Sequence, residues 1–136
     1  MNRRSKGRAL GVRSTEVVVT DLDRSIDFYT GILGLNLRLD ERRYNWVELG
    51  PDEDMGLIAL SEYRGEGRKP GGSTGLVLIV EDLNSFYKNA LKDGVVFTSP
   101  PGRRPWRGVV AKVLDPDENE ITLLDSKKVS PWMMGA

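Results

Sequence analysis

Residues 15–35 read TEVVVTDLDRSIDFYTGILGL, and the rest of the chain is arranged around this stretch and a second version of it. Thr15–Thr20 is β-branched and apolar, which predicts a strand. Asp21 or Asp23 then serves as an N-cap, because a short carboxylate accepts from the free N–H groups of a first helical turn. Leu22, Ile26, Tyr29 and Leu33 recur at helical spacing, with Phe28 and Ile32 beside them, while Asp23, Arg24 and Asp27 take the wet side. Gly34 supplies a left-handed C-cap, and Leu35 restarts an extended run. The same grammar returns 61 positions on, where Leu78-Ile79-Val80-Glu81-Asp82-Leu83 aligns with Val17-Val18-Val19-Thr20-Asp21-Leu22. A second echo, 65 positions apart, pairs Pro51-Asp52-Glu53-Asp54 with Pro116-Asp117-Glu118-Asn119. Two matches in the same order define a duplicated strand–helix–strand–strand–strand unit.

Composition narrows the chemistry. The chain has 136 residues, enough for one domain with a real core. It contains no cysteine and no histidine. Disulfides, thiolate nucleophiles and zinc–thiolate sites are thereby excluded, as are the commonest general base at neutral pH and the commonest transition-metal ligand. Lys+Arg and Asp+Glu both number 20, so no global field attracts nucleic acid or a membrane surface. The longest apolar run, Leu76–Val80, is far too short to span a bilayer, and no apolar segment follows the basic residues at the N-terminus. A cytoplasmic protein without nucleic-acid or membrane partners is the expectation.

In chain order, residues 1–10 read as a polar, basic, frayed end. After the first strand and helix come strands at Asn36–Glu41, Tyr44–Leu49 and Met55–Ser61. In the second of these, Tyr44, Trp46 and Glu48 share one face, and Asn45, Val47 and Leu49 the other. Residues 62–74, EYRGEGRKPGGST, form a linker. Its GGSTG end resembles a phosphate-cradling loop, yet no Gly-Lys-Ser/Thr follows and it opens a strand, so the linker reading stands. The second unit runs through strand Gly75–Val80, helix Asp82–Lys92 and strand Val95–Thr98. A long loop, SPPGRRPWRG, then precedes strands Val109–Leu114 and Ile121–Asp125. The expected organisation is a single domain over 1–126, with module one at 12–61, the linker at 62–74 and module two at 75–125. The tail, 127–136, carries Trp132-Met133-Met134, an apolar cluster suited to docking on its own domain or on a partner.

The segment Val19-Thr20-Asp21-Leu22-Asp23-Arg24-Ser25-Ile26-Asp27-Phe28-Tyr29 with Leu33-Gly34 resembles the vicinal-oxygen-chelate superfamily of glyoxalase I, extradiol dioxygenases and bleomycin-resistance proteins. So does Pro105-Trp106 taken together with Asp115-Pro116-Asp117 and Asn119. The resemblance covers about residues 12–125. It implies an α+β fold of two tandem βαβββ modules, whose strands form a curled mixed sheet around a concave pocket with the helices outside. It does not by itself imply one function, since the superfamily hosts isomerases, lyases, dioxygenases and pure binders. Members that do chemistry usually hold a divalent metal with His and Glu from the first and last strand of each module. Carried over residue by residue, those positions fall at Ser14, Ala59 (Leu57 if counted from the turn), Gly75 and Thr122. None is a strong ligand, so no metal and no cofactor is expected. The family's Asp-Pro-Asp-Gly-Asn turn also departs here, with Glu118 in place of glycine, a position that favours positive φ.

If the ligand positions face the concavity, residues of like parity join them. Glu16 and Val18, then Tyr44, Trp46 and Glu48, then Ser61, come from module one; Val77, Ile79, Val110, Lys112 and Leu124 come from module two. Aromatics, two carboxylates and one ammonium suit an organic ligand with a polar or cationic group. Trp106 and Arg107 sit in the long loop, where binding residues collect. The candidate ligand-binding set is therefore Glu16, Tyr44, Trp46, Glu48, Trp106, Arg107 and Lys112, with no residue assigned to catalysis. The structural alternatives are that Tyr44 and Trp46 fill the core, that Glu16 and Glu48 form a solvated edge or bridge to Lys112 or Arg38, and that Trp106 is a latch closing a dimer. The resemblance implies a homodimer that completes the pocket. Three functions stay open: a metal-free binder of the bleomycin-resistance type; an enzyme of the lyase, isomerase or dioxygenase kind, with Glu16 and Glu48 working on Mg²⁺ or Mn²⁺ or as acid and base; and a domain whose pocket is vestigial.

Overall fold

The computed structural model describes residues 7–105 and 108–127. Its regular elements are strand β1 (Ser14–Val19), helix α1 (Leu22–Asp27) and strands β2 (Asn36–Glu41), β3 (Trp46–Gly50) and β4 (Leu57–Glu62). Then come β5 (Gly72–Val80), α2 (Leu83–Lys92), β6 (Phe97–Arg104), β7 (Gly108–Leu114) and β8 (Asn119–Asp125). The two βαβββ modules of an α+β protein are present in sequence order. Each keeps a four-stranded mixed sheet of its own, ordered β1-β4-β3-β2 and β5-β8-β7-β6. The first strand of each module pairs in parallel with its last, and the remaining pairs are antiparallel.

The duplication extends to the helix caps. Asp21 is extended and accepts from the Arg24 N–H at 3.2 Å; Asp82 accepts from the Ser85 N–H at 3.2 Å. A second carboxylate serves each first turn, because the Leu22 N–H donates to Glu62 at 2.9 Å and the Leu83 N–H to Asp125 at 3.1 Å. Glu62 and Asp125 close β4 and β8, so in each module the last strand holds the helix start beside the first strand.

α1 is shorter than its periodicity predicts. After Asp27 the chain widens into a π-helical turn over Phe28–Ile32, where the Leu33 N–H reaches back to the Phe28 carbonyl at 3.1 Å. Gly34, at φ 77°, ends it as expected. The third strand starts two residues later than expected: Arg42–Tyr44 is a 3-10 turn and Asn45 is left-handed at φ 58°. The Asn45 side chain donates to the Glu62 carbonyl at 3.0 Å and accepts from the Glu62 N–H at 2.7 Å, doing the work of a backbone ladder rung. The expected SPPGRRPWRG loop is also corrected, since β6 runs through Pro100 and Pro101 to Arg104. It is the edge strand of its sheet and breaks register between Phe97 and Ser99 and again between Ser99 and Gly102. An edge strand tolerates a missing N–H there. β5 begins at Gly72, inside the expected linker.

The core lies between the helix-bearing faces of both modules and joins Val17, Val19, Phe28, Tyr29, Val47 and Leu60 to Leu83, Ala111, Val113, Ile121 and Leu123. A polar seam crosses the same junction. The Tyr29 hydroxyl donates to Asp115 at 2.8 Å, Asn119 donates to the Val18 carbonyl at 3.0 Å, and the Thr20 N–H donates to Asp117 at 3.0 Å. Among the described residues no helix is long and apolar enough to cross a membrane.

Candidate functional site

Strand alternation that buries Val17, Val47, Ile58 and Leu60 against the helices turns Glu16, Val18, Trp46, Glu48, Ala59 and Ser61 to the other face of the first sheet. On that face Glu16, Ala59 and Glu48 sit side by side on β1, β4 and β3, because Ala59 is the register partner of both carboxylates. Val18 faces Ser61 on the next rung. The loop after β4 rises beside them with Tyr63, Arg64 and Arg68, enclosing a recess of about 520 Å³ together with Glu16, Tyr44 and Trp46.

The two carboxylates differ in engagement. Glu48 is buried, accepts from Trp46 Nε1 at 3.0 Å on one oxygen and from Arg13 at 3.0 Å on the other. The Trp46 hydrogen bond is the main cause that holds the Glu48 carboxyl below the ordinary carboxylate range, against burial, which pushes it up; Arg13 adds to the lowering. Arg13 lies just before β1 and reaches β3, so its side chain crosses β4, on which Ala59 lies. Glu16 is exposed; one oxygen accepts from the Ser61 hydroxyl at 2.6 Å, and its carbonyl accepts from Arg68 at 2.7 Å. Tyr44 stands at the recess margin, 72% exposed, with the Arg43 guanidinium 4.8 Å from its ring centroid.

The second module has its own open face. Lys112 lies there in a recess of about 370 Å³ with Thr98, Ser99, Arg104, Val110, Glu120 and Thr122. Its ammonium is 4.0 Å from Glu120. The sequence-derived set therefore divides: Glu16, Tyr44 and Trp46 share one recess, Glu48 underlies Trp46 beside it, and Lys112 belongs to another. Trp106 and Arg107 lie outside the described residues. The structural bridges anticipated for the glutamates are corrected, since Glu48 pairs with Arg13, and Arg38 instead bonds the Pro51 and Glu53 carbonyls and Asp54. Tyr44 is not a core residue. The residues that sequence reasoning missed are Arg13, Arg64 and Arg68. None of the three carried a local signal in the sequence.

The residues at the family's metal positions do not fit a metal. Ser14 and Thr122 offer neutral hydroxyls, Ala59 a fully buried methyl, and Gly75 no side chain at all. Gly75 also sits at φ 75° where β5 slips register between Ser73 and Val77, a backbone that an L-residue adopts only under strain. Among the described residues no group of three or more His, Cys, Asp or Glu could hold an ion.

Two tandem βαβββ modules, each with one helix-packed and one open sheet face, define the class of protein. The family model for the Glyoxalase/Bleomycin resistance protein/Dioxygenase superfamily matches residues 11–123, and the chain belongs to that superfamily. It is 32% identical over 124 residues to the lactoylglutathione lyase of Escherichia coli O157:H7, covering 83% of this chain and 90% of that one. Among solved structures it is similar to a superfamily member from Sphaerobacter thermophilus at TM-score 0.76 and 33% identity, over 87% of this chain and 98% of that one. It is also similar to TnmS3, an antibiotic binding protein from Streptomyces sp. CB03234, at TM-score 0.74 and 28% identity, over 86% and 96%.

Proposed function

We propose that this chain is a metal-independent small-molecule-binding protein, a cytoplasmic homodimer that sequesters an organic ligand on the open face of module one. The observation that carries the reading is a contrast between the metal positions and the recess of module one. The four positions where the family's enzymes place metal ligands hold Ser14 and Ala59 on the first sheet and Gly75 and Thr122 on the second, while the recess of module one keeps Trp46, Tyr44, Glu16 and Arg68. Such a recess offers an aromatic surface for stacking, one exposed carboxylate and a guanidinium, the elements of recognition for a flat polar molecule. The likeness to an antibiotic binding protein supports the same reading.

A second reading is an enzyme that uses Glu16 and Glu48, and it is favoured by their flanking Ala59 on a single rung. Against it, both oxygens of Glu48 are already engaged by Trp46 and Arg13.

The test combines ligand screening with metal analysis on purified full-length protein. A panel of planar cationic drugs and small metabolites is titrated while tryptophan fluorescence is followed, and Trp46→Phe identifies the responding residue. Quenching that Trp46→Phe removes, in dialysed protein without stoichiometric transition metal, is the expected outcome. One tightly held zinc, nickel or iron per chain, or turnover that depends on Mg²⁺ or Mn²⁺ and vanishes in Glu16→Gln, would falsify the binder reading.

A further inference from the structure

A separate crevice of about 380 Å³ lies at the junction of the two modules and shares no lining residue with either open face. Phe28 and Ile32 of the π-helical turn form one wall; Val95, Val96, Leu114 and Pro116 form the other. These side chains are not all spent on the core, because Val96 stays 57% exposed at the mouth. The remaining polar side chains of the lining are Asp93, Asp115 and Glu118, and no lysine or arginine lines the crevice. Lys92, the basic residue of the last turn of α2, lies outside the lining.

Three further observations give the crevice a sign. Asp115 on its floor is fully engaged, by Tyr29, by Asn119 and by the N–H groups of Asp117 and Asn119. The Asp93 and Glu118 carboxylates are exposed and make no hydrogen bond or ion pair in the described structure, so they are available to an incoming group. α2 ends against the crevice, with Asp93 as its C-cap; the Asn89, Ala90 and Leu91 carbonyls already accept backbone N–H groups, so what the helix end adds is the negative end of its dipole, which favours a cation. Glu118 adds a conformational oddity. It holds φ 62°, so a carboxylate lines the crevice in a left-handed backbone state that glycine would occupy without strain.

We propose that this crevice is a second ligand site, specific for a small apolar molecule bearing an ammonium or amidinium group. Its apolar body sits between the Phe28–Ile32 wall and the Val95–Val96 wall. Its cation meets Asp93 and Glu118 at the mouth. Because the walls come from different modules, an occupant also ties the modules together. The proposal is independent of any ligand on the open face of module one.

The test is amide-resolved NMR on ¹⁵N-labelled full-length protein, titrated with three probes of one shape: 2-naphthylmethylammonium, 2-naphthylmethanol and 2-naphthoate. The ammonium is expected to shift the amides of Ile32, Val95, Val96 and Leu114, to bind more tightly than the alcohol at low salt, and to lose that preference at high salt. Glu118→Gln and Asp93→Asn should each weaken the ammonium about two- to fivefold, the scale of an exposed charge contact, and leave the alcohol unchanged. Val96→Lys, which places a cation at the mouth, should abolish ammonium binding. The proposal is overturned by equal affinity for ammonium and alcohol, by shifts confined to the face around Trp46, or by crevice amides that shift with protein concentration alone. The last result would mean that a second copy of the chain covers the crevice.

Discussion

At the scale of single residues, Glu48 decides how Trp46 is presented. A tryptophan on an open sheet face turns about two side-chain torsions unless its N–H is held, and Glu48, two residues on along the same strand face, holds it at 3.0 Å. Glu48→Leu is therefore expected to destabilise the protein by about 1–3 kcal/mol, because it strips the indole of its acceptor and leaves Arg13 unpaired. Glu48→Gln keeps an acceptor and should cost less; urea unfolding of both variants measures the difference. The lowered Glu48 carboxyl fixes the pH sense. A carboxylate stabilised by folding contributes fully above the ordinary carboxylate range, and its contribution is lost as pH falls through that range and below it. Tryptophan emission should thus be flat from neutrality to mildly acid pH and change only in strong acid, in a transition that Glu48→Gln removes. Glu16 differs because it is exposed and holds only Ser61 through its side chain. Its replacement by glutamine should leave stability unchanged and weaken a cationic ligand on this face by about tenfold, the scale of a charge-assisted contact.

At the scale of elements, the junction between the π-helical turn after α1 and the turn before β8 joins the modules. Tyr29 is fully buried and its hydroxyl donates to Asp115, 86 residues away in sequence. Tyr29→Phe removes one donor to a buried carboxylate that keeps three others, which predicts a loss of about 1–2 kcal/mol in chemical denaturation. Burial, reinforced by Asp115, pushes the Tyr29 phenol well above its ordinary value. A raised phenol favours folding below the ordinary value of about 10, and that advantage is lost as pH rises beyond it. Of the four tyrosines, Tyr29 should therefore stay un-ionised in alkali until the protein unfolds, visible as an ultraviolet titration step that coincides with loss of structure. The repeat and its caps were legible in sequence because they are local: Asp21, Asp82, Gly34 and Gly94 act on neighbours a few residues away. Asn45 and β6 were not. Asn45 becomes left-handed because its amide pairs with Glu62, 17 residues on, and β6 carries two prolines that only an edge position makes acceptable. Strand parity placed Glu16, Trp46 and Glu48 on one face, but nothing local to Arg13 announces that it crosses β4 to reach Glu48.

At the scale of the whole molecule, each module turns one sheet face away from the helices, and the described chain covers that face only in part: Glu48, Ala59 and Ser61 are buried on the first and Val110 and Leu124 on the second, whereas Glu16 and Lys112 stay exposed. A ligand site normally buries most of its ligand, and a recess open on a single sheet does so poorly. The second module's face is also apolar where it is exposed: Val77 and Ile79 on β5 are 42% and 70% accessible, on the side that carries Thr122 and Lys112. Leu39, on the edge strand β2, adds 40% on the first module. Exposed apolar side chains of this kind mark contact surfaces. On the proposed reading, the open face of one chain's module would be covered by its partner, coupling binding to assembly. Light scattering at micromolar concentration should accordingly report two chains. Ile79→Glu places a charge on the exposed face without disturbing the helix-packed side; it should yield a folded monomer, with unchanged thermal stability at high dilution and weakened ligand quenching of Trp46. Truncation after Ser126 then asks whether the tail contributes to the contact. A wild-type protein that is monomeric across the micromolar range while quenching remains intact would show that one chain closes its own recess, and the coupling of binding to assembly would be wrong.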